Sequence, residues 1–462
     1  MSQTTQKAPT TEDLRSQLVE RAEALEVPGA VVGILHDGKE QYAYHGITSI
    51  ENPLEVDENT LFQFGSTGKT YTSTAIMRLV EQGKVDLNEK VRTYVPELKL
   101  RDEAVASEVT VLHLLNHTAG WSGDLLDPTG EGDDALERYV ELMADLEQVT
   151  PLGTAVSYNN ASLSLAGRMI EKLTGSTYEQ AMKELVLEPL KMEHTFFFMN
   201  DIMTRRFVVG HTRKPDGTIE VSRPWALPRG GNPAGGMSAN VGDQIRWARF
   251  HLGDGTPLLT QASLDLMKQP TFDMRGGALG DYVGISWLMR DVDGVRLVGH
   301  GGNTIGQNST FVMVPERGFA ISILTNDGSH GGLLSEGLER WALEAYVGVI
   351  DKDPEPIKLD DAKLAEYAGT YETIATVCHV TVADGGLSLL PEVRAEVWAK
   401  ISEDEMPEPE AYPMGMLPGE GDRYIITEGE AKGMKGYFAR NEAGAIEAVH
   451  VGGRLAQRVR TA

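Results

Sequence analysis

The stretch FQFGSTGKTYTST, residues 62–74, admits two readings that lead to different folds and different chemistry. Gly65, Gly68, Lys69 and Thr70 look like the end of a phosphate-binding loop. Ser66 and Lys69 alternatively form a Ser-x-x-Lys pair, the spacing of a serine nucleophile and its activating amine. The phosphate loop needs Gly-x-x-x-x-Gly-Lys-[Ser/Thr], in which the first glycine lets backbone N–H groups wrap the phosphates. Counting back from Gly68-Lys69 puts Gln63 there, so the loop fails at a residue whose missing side chain matters. The serine reading has its own requirement, that a helix begin near Ser66, so that an (i, i+3) pair shares one face. A neighbouring ammonium and the helix N-terminus then stabilise a developing alkoxide, and the lysine's pKa falls from its reference of about 10.4. Taken by itself, the pair also describes an N-cap serine followed by a solvated lysine.

Two further stretches bear on the choice. TAVSYNNASLSLAG (154–167) supplies Tyr158-x-Asn160 at the start of a helical pattern, and LVGHGGNTIG (297–306) supplies His300-Gly301-Gly302 on a strand pattern that leads into a glycine turn. In order and separation, Ser-x-x-Lys, Tyr-x-Asn and His-x-Gly resemble the active-site motifs of the serine β-lactamase and penicillin-binding-protein superfamily, another branch of which carries Ser-Asp-Asn and Lys-Thr-Gly. Tyr-x-Asn as second motif points to the class C β-lactamase-like branch, which includes peptidases, esterases and D-aminopeptidases. LVEQGKVDLNEKVRTYVPEL, VTVLHLLNHTAGW, LEPLKMEHTFF and NPAGGMSANVGDQIRWARF look like the sequences that flank these motifs in that family, so the resemblance runs over about residues 10–350.

The resemblance implies a fold and a set of roles. The fold is an α/β part built from 10–65 and 285–350, an antiparallel sheet flanked by helices, with an all-α part over 66–284. Ser66 is the expected nucleophile, forming an acyl-enzyme with an ester or amide carbonyl. Lys69 holds and activates it. Tyr158 is expected to be the general base for attack and the acid for the leaving group, with a phenolic pKa pulled below its reference of about 10 by Lys69. Asn160 is expected to hydrogen-bond Lys69 or the substrate carbonyl, although alone it reads equally as a helix N-cap. The oxyanion hole falls to the backbone N–H groups of Ser66 and Asn303, with Gly301 and Gly302 keeping the strand clear for substrate. His300 departs from the β-lactamase pattern, which has lysine there. A histidine is neutral over much of the physiological range, so attraction of a substrate carboxylate, and with it efficient β-lactam hydrolysis, is put in doubt. His-Gly-Gly is closest to the D-aminopeptidase form.

The hydrophobic patterning supports this layout. Thr10 or Thr11 with Glu12 and Asp13 is an N-cap signal, and Leu14, Leu18, Ala22 and Leu25 follow with helical spacing up to Pro28-Gly29. AVVGILHDGKEQYAYHG places two β-rich runs around Asp37-Gly38, a hairpin signal. Ile76, Leu79 and Val80 before Gly83, and Leu165, Met169, Ile170 and Leu173 before Gly175, make the middle mostly helical. VRLVGHGGNTIGQNSTFVMVPERGFAISILTNDG predicts three strands, and LLSEGLERWALEAYVGV a closing helix. Residues 351–359 are Pro- and Asp-rich and read as a linker. From 360 to 462, short alternating runs around glycine turns predict a small all-β barrel, which resembles the lipocalin-like domain of some family members. EDEMPEPEAYPMGMLPGEGD inside it reads as a long loop.

Composition narrows the partners. The net charge of −26 over 462 residues repels polyphosphate, so nucleic acid and anionic membranes are excluded as partners, and a small ester, amide or short peptide fits as substrate. An acidic surface otherwise serves solubility. The single cysteine, Cys378, excludes an intramolecular disulfide and is placed on a strand. The start lacks a basic segment followed by an apolar one, and no run reaches the roughly 18 apolar residues of a membrane span, which together predict a cytoplasmic protein. His113 and His117 are four apart without the zincin glutamate and read as structural. Trp121 lines the cleft or packs in the core. Asp124, Asp127, Glu131, Asp133 and Asp134 lack calcium-loop spacing and read as solvated surface. The expectation is therefore a serine hydrolase with no metal and no cofactor, a D-amino-acid amidase or aminopeptidase, or else a carboxylesterase or acyltransferase. A non-catalytic ligand-binding protein of the same fold is the reading from another class, and homo-oligomerisation is left open.

Overall fold

The computed structural model describes residues 8–459 apart from 126, 215, 254, 257, 402–405 and 407. Helix α1 (Thr11–Ala24) begins at a capping box in which Asp13 N–H donates to Thr10 Oγ1 and the Asp13 carboxylate accepts from the Thr10 backbone. Its buried residues Leu14, Leu18 and Ala22 recur every fourth position, so one stripe faces the sheet. Strands β1 (Gly29–His36) and β2 (Lys39–Gly46) follow, joined at Asp37-Gly38, where both residues have positive φ.

The main sheet is antiparallel and eight-stranded, in the order β2-β1-β8-β7-β6-β5-β4-β3. Its later strands are β3 (Phe272–Gly277), β4 (Gly280–Val283), β5 (Leu288–Val292), β6 (Val295–Asn303), β7 (Asn308–Val314) and β8 (Phe319–Thr325). The sheet thus takes in residues 272–283, which helical patterning had grouped with the all-α part. β1 and β8 pair one strand in from the β2 edge, Val32 opposite Ile323. Their side chains alternate between two cores. Val31, Leu35, Ala320 and Leu324 pack toward the helical body, and Ala30, Val32, Ile34, Ile321 and Ile323 pack against α1 and the closing helix Gly331–Val347. Burial on both faces is why these strands read as unbroken apolar runs, each Val or Ile contributing about 1.5–3 kcal/mol.

Two helices of the middle segment position the Ser-x-x-Lys and Tyr-x-Asn motifs: α2 (Gly68–Glu81), and α3 (Asn160–Thr174), which ends at Gly175 in the left-handed conformation. No helix among the described residues is long and apolar enough to cross a membrane.

Residues 351–359 carry no regular element but are held at both ends. Arg290 pairs with Asp351, Arg340 with Asp353 at 2.6 Å, and Ile357 N–H donates to the Met416 carbonyl. Beyond them, eight strands close into a barrel, with Tyr371 opposite Arg458 at the seam. Eight strands leave an interior that side chains can fill or that can hold one small ligand, and here Tyr371, Leu389, Tyr424 and Phe438 pack inside it. Cys378 is buried on a barrel strand, as expected. One strand, Tyr412–Met416, lies inside the stretch read as a long loop; positions 403–405 and 407 of that stretch lie outside the described residues. The barrel docks on the catalytic part through Tyr437, Ala448 and Leu455, which pack on Ala155, and through Arg275, whose guanidinium lies 5.4 Å from the Tyr437 ring centre.

Candidate active site

Ser66 sits in a single 3-10 turn, Gly65–Thr67, that runs directly into α2. The turn lies against the end of β6. Gly65 has φ 52°, and a Cβ there would lie 2.7 Å from the Asn303 carbonyl oxygen; a Cβ on Gly302 would lie 2.1 Å from that of Phe64. No other residue fits either position. Thr67 Oγ1 donates to the His300 carbonyl at 3.0 Å, and Ser309 Oγ donates to the Phe64 carbonyl at 2.7 Å, so the strand and the helix start are tied together. This close approach brings the backbone amides of Ser66 and Asn303 into one corner. Gly301 is different. It is exposed, and its nearest neighbour to an added Cβ is 3.5 Å away, so it leaves open space over the strand.

Lys69 is fully buried one turn on, on the same face as Ser66, which matches the (i, i+3) expectation. Its Nζ donates to Ser66 Oγ at 2.9 Å and to the Ala234 carbonyl at 2.6 Å. Burial pushes its pKa well below the ordinary lysine value, the Arg454 charge lowers it further, and Asp124 opposes both. A neutral amine so placed is able to take a proton from the Ser66 hydroxyl.

Tyr158 packs its ring 4.8 Å from Lys69 Nζ. The expected depression of its phenol is overturned. Burial pushes the pKa well above the ordinary tyrosine value, outweighing the downward pull of the Ser66 hydroxyl and of Arg454. Loss of water solvation around the phenolate costs more than nearby cations return.

His300 is buried, and burial together with the Lys69 charge takes its pKa down to about 3. Neutral, it donates Nδ1–H to the Gly301 carbonyl at 2.5 Å, which leaves Nε2 as a lone-pair acceptor with no hydrogen-bond partner among the described residues. His117 is also buried and neutral, its ring centre 4.5 Å from that of Tyr158, with Nδ1 accepting from Asn159 N–H. His113 serves the cap of the short helix Val111–Leu115, accepting from Thr110 N–H.

Three sequence readings change. Asn159, not Asn160, caps α3, its side chain accepting from Ser162 N–H at 2.9 Å. Asn160 does not reach Lys69; its amide donates to Asp124 Oδ1 at 3.1 Å. Asp124 is not solvated surface but mostly buried, and it grips Arg454 with both oxygens, at 2.7 Å from Nη2 and 2.5 Å from Nε. Trp121 resolves to core packing, with its carbonyl accepting from the Asn159 amide.

Arg454 belongs to the barrel. It follows the turn Gly452-Gly453, whose hairpin tip is inserted into the catalytic part. Tyr158 N–H donates to the Gly453 carbonyl at 2.8 Å, and Leu455 N–H to Ser157 Oγ at 3.3 Å. A cavity of 570 Å³ is lined by Ser66, Tyr158, Asn160 and His300 from one side and by Gly452 and Arg454 from the other. Nothing in the sequence around Arg454 marks it, because VGGR is an ordinary hairpin turn and its partner lies 330 positions away.

Known proteins resemble this architecture at several levels. The beta-lactamase family model matches residues 14–347. Penicillin-binding protein 4 of Amycolatopsis lactamdurans is 33% identical over 363 residues, which covers 75% of this chain and 93% of that protein. The crystal structure of SurE superposes with a TM-score of 0.75 at 24% identity, covering 97% of this chain and 99% of that one. The octameric penicillin-binding protein homologue from Pyrococcus abyssi gives 0.67 at 22% identity, with 96% and 98% covered. Both structures extend over the barrel as well as the catalytic part, whereas the class C beta-lactamase from Rhodobacter sphaeroides (TM-score 0.60, 20% identity) covers 71% of this chain and 98% of its own. With the family model spanning the whole catalytic part, this chain belongs to the beta-lactamase family of serine hydrolases.

Proposed function

We propose that the protein cleaves small esters or amides through an acyl-enzyme on Ser66. One observation carries the reading: a fully buried lysine amine, pushed toward its neutral form, 2.9 Å from a serine hydroxyl at a helix start. A protein that only bound ligand would bear the cost of burying Lys69 with no return.

In acylation, Ser66 Oγ forms a bond to the substrate carbonyl carbon and its proton passes to Lys69 Nζ. The carbonyl electron pair moves onto oxygen, held by the N–H groups of Ser66 and Asn303. Collapse breaks the bond to the leaving alcohol or amine, which takes the Tyr158 hydroxyl proton while Lys69 returns one to Tyr158. Water then attacks the acyl-enzyme, and the same groups pass the protons in reverse. Tyr158 is the acid and relay; its raised pKa suits that role better than that of resting base.

For the substrate class, SurE has been crystallised with D-Leu, which supports D-amino-acid amides and peptides. The cavity lining gives no extra support for an amine, since its charged residues are Arg290, Arg454 and Glu339, and Glu339 is paired with Arg290. Gly452 and Arg454 at the wall support a size limit imposed by the barrel. The testing experiment is chromophore release from matched D- and L-alanine p-nitroanilides and p-nitrophenyl butyrate, with Ser66→Ala as blank. Preference for the D-anilide supports an aminopeptidase, release from butyrate alone an esterase, and release unchanged in Ser66→Ala overturns the nucleophile.

A further inference from the structure

The Arg454–Asp124 pair joins two domains at the wall of the active site, and its surroundings are unequal. Asp124 accepts from Asn160, the first residue of α3, and from the barrel's Arg454. Arg454 lies 5.4 Å from the centre of the Tyr158 ring, which also packs against Lys69 Nζ at 4.8 Å. The ionisable groups facing Lys69 are Tyr158, His117, His300, Asp124 and Arg454. Burial keeps both histidines and the phenol uncharged near neutral pH. The fixed charges acting on the amine are therefore one carboxylate and one guanidinium, and only the carboxylate comes from the catalytic part.

We infer that Arg454 is a positioning residue of the active site: by occupying Asp124, the barrel keeps that carboxylate from pairing with Lys69, and so leaves the amine free to take the Ser66 proton. The inference rests on Ser66 as nucleophile and Lys69 as its base. Remove Arg454, and Asp124 becomes a mostly buried anion that has lost its ion-pair partner, and the other cation whose charge acts on it is a protonated Lys69. Both changes, a cation lost and an anion bared, favour ammonium over amine. Barrel docking and serine reactivity are thereby coupled through one ion pair.

The test reads Ser66 directly, without a substrate. Diisopropyl fluorophosphate phosphorylates the serine: the Oγ–P bond forms, the P–F bond breaks, fluoride leaves and the serine proton passes to Lys69. The labelling rate is followed against pH in the full-length protein by mass spectrometry. In Arg454→Met the acid limb moves up by at least about one pH unit, and labelling at neutral pH falls about tenfold. Arg454→Lys, which keeps the charge, holds the limb near its wild-type position. Asp124→Asn moves the limb down, and the Asp124→Asn/Arg454→Met double variant returns it toward wild type. A rate lowered equally at all pH values in Arg454→Met, or a double variant shifted as far up as Arg454→Met, overturns the inference and leaves Arg454 a mere fastening. Should Arg454→Met fail to fold, Asp124→Asn decides, and an unmoved limb there overturns the inference as well. Wild-type protein that does not label at any pH overturns the nucleophile reading itself, and this inference with it.

Discussion

The backbone N–H of Tyr158 donates to the carbonyl of Gly453 at 2.8 Å, so the tyrosine of the Tyr-x-Asn motif is held by the main chain of the barrel. Gly453 has φ 85°, and a Cβ there would meet the Leu279 side chain at 3.0–3.1 Å. Gly453→Val is expected to cost about 1–3 kcal/mol of stability and to slow acylation by displacing Tyr158. Thermal melting and the Ser66 labelling rate check this together, and a melt and rate both at wild-type values would refute it.

The two strand glycines part company. Gly302→Ala puts a methyl 2.1 Å from the Phe64 carbonyl oxygen and 2.7 Å from the Ser66 nitrogen. It should reduce turnover by about 10²-fold or more, the scale of losing an oxyanion donor. Gly301→Ala meets nothing closer than 3.5 Å, so it should fold normally and act on KM for bulky substrates. Steady-state kinetics on short and bulky esters separate the two.

Lys69 carries opposite consequences for stability and for rate. Lys69→Met removes a buried amine and keeps the volume, so the melting temperature should hold or rise by a few degrees while turnover falls about 10²- to 10⁴-fold. A variant that both melts lower and retains activity would contradict Lys69 as the proposed base.

Acid should unfold the protein through its buried imidazoles. His300 and His450 are lowered to about 3 and about 4, and His117 and His251 well below the usual value, burial being the first cause in each case. Below about pH 6.5 the unfolded chain binds protons at these rings that the folded chain refuses, so stability falls as pH falls through that window. His450 alone accounts for about 3 kcal/mol at pH 4. Melting temperatures from pH 7 to pH 4, with and without His450→Gln, test the sign and the share; a flat profile would contradict it.

The parts of the fold legible in sequence are those set by local periodicity. The stripe Leu14, Leu18, Ala22 and the hairpin at Asp37-Gly38 reappear where patterning puts them. Ser66 and Lys69 are legible because both lie on one helical turn. The charges around them are not. Asp124 looks like any residue of a Gly-rich acidic loop until Arg454 arrives from the barrel, and the sign of the Tyr158 shift depends on burial, which a sequence motif does not carry. Gly302 reads in sequence as room for substrate, whereas its closest neighbours are the protein's own Phe64 and Ser66.

The turn at Gly452-Gly453 also acts as a spacer of fixed count. Val451 pairs directly with Arg454 across it, with both glycines in left-handed backbone. Strand side chains alternate faces, so one inserted residue would rotate Arg454 to the opposite side of its strand and carry Leu455 away from Ser157. Surface loops elsewhere absorb length changes at small entropic cost. This one is a vernier between the barrel and the part it docks on, and a single added residue should act on the site as the loss of the arginine does.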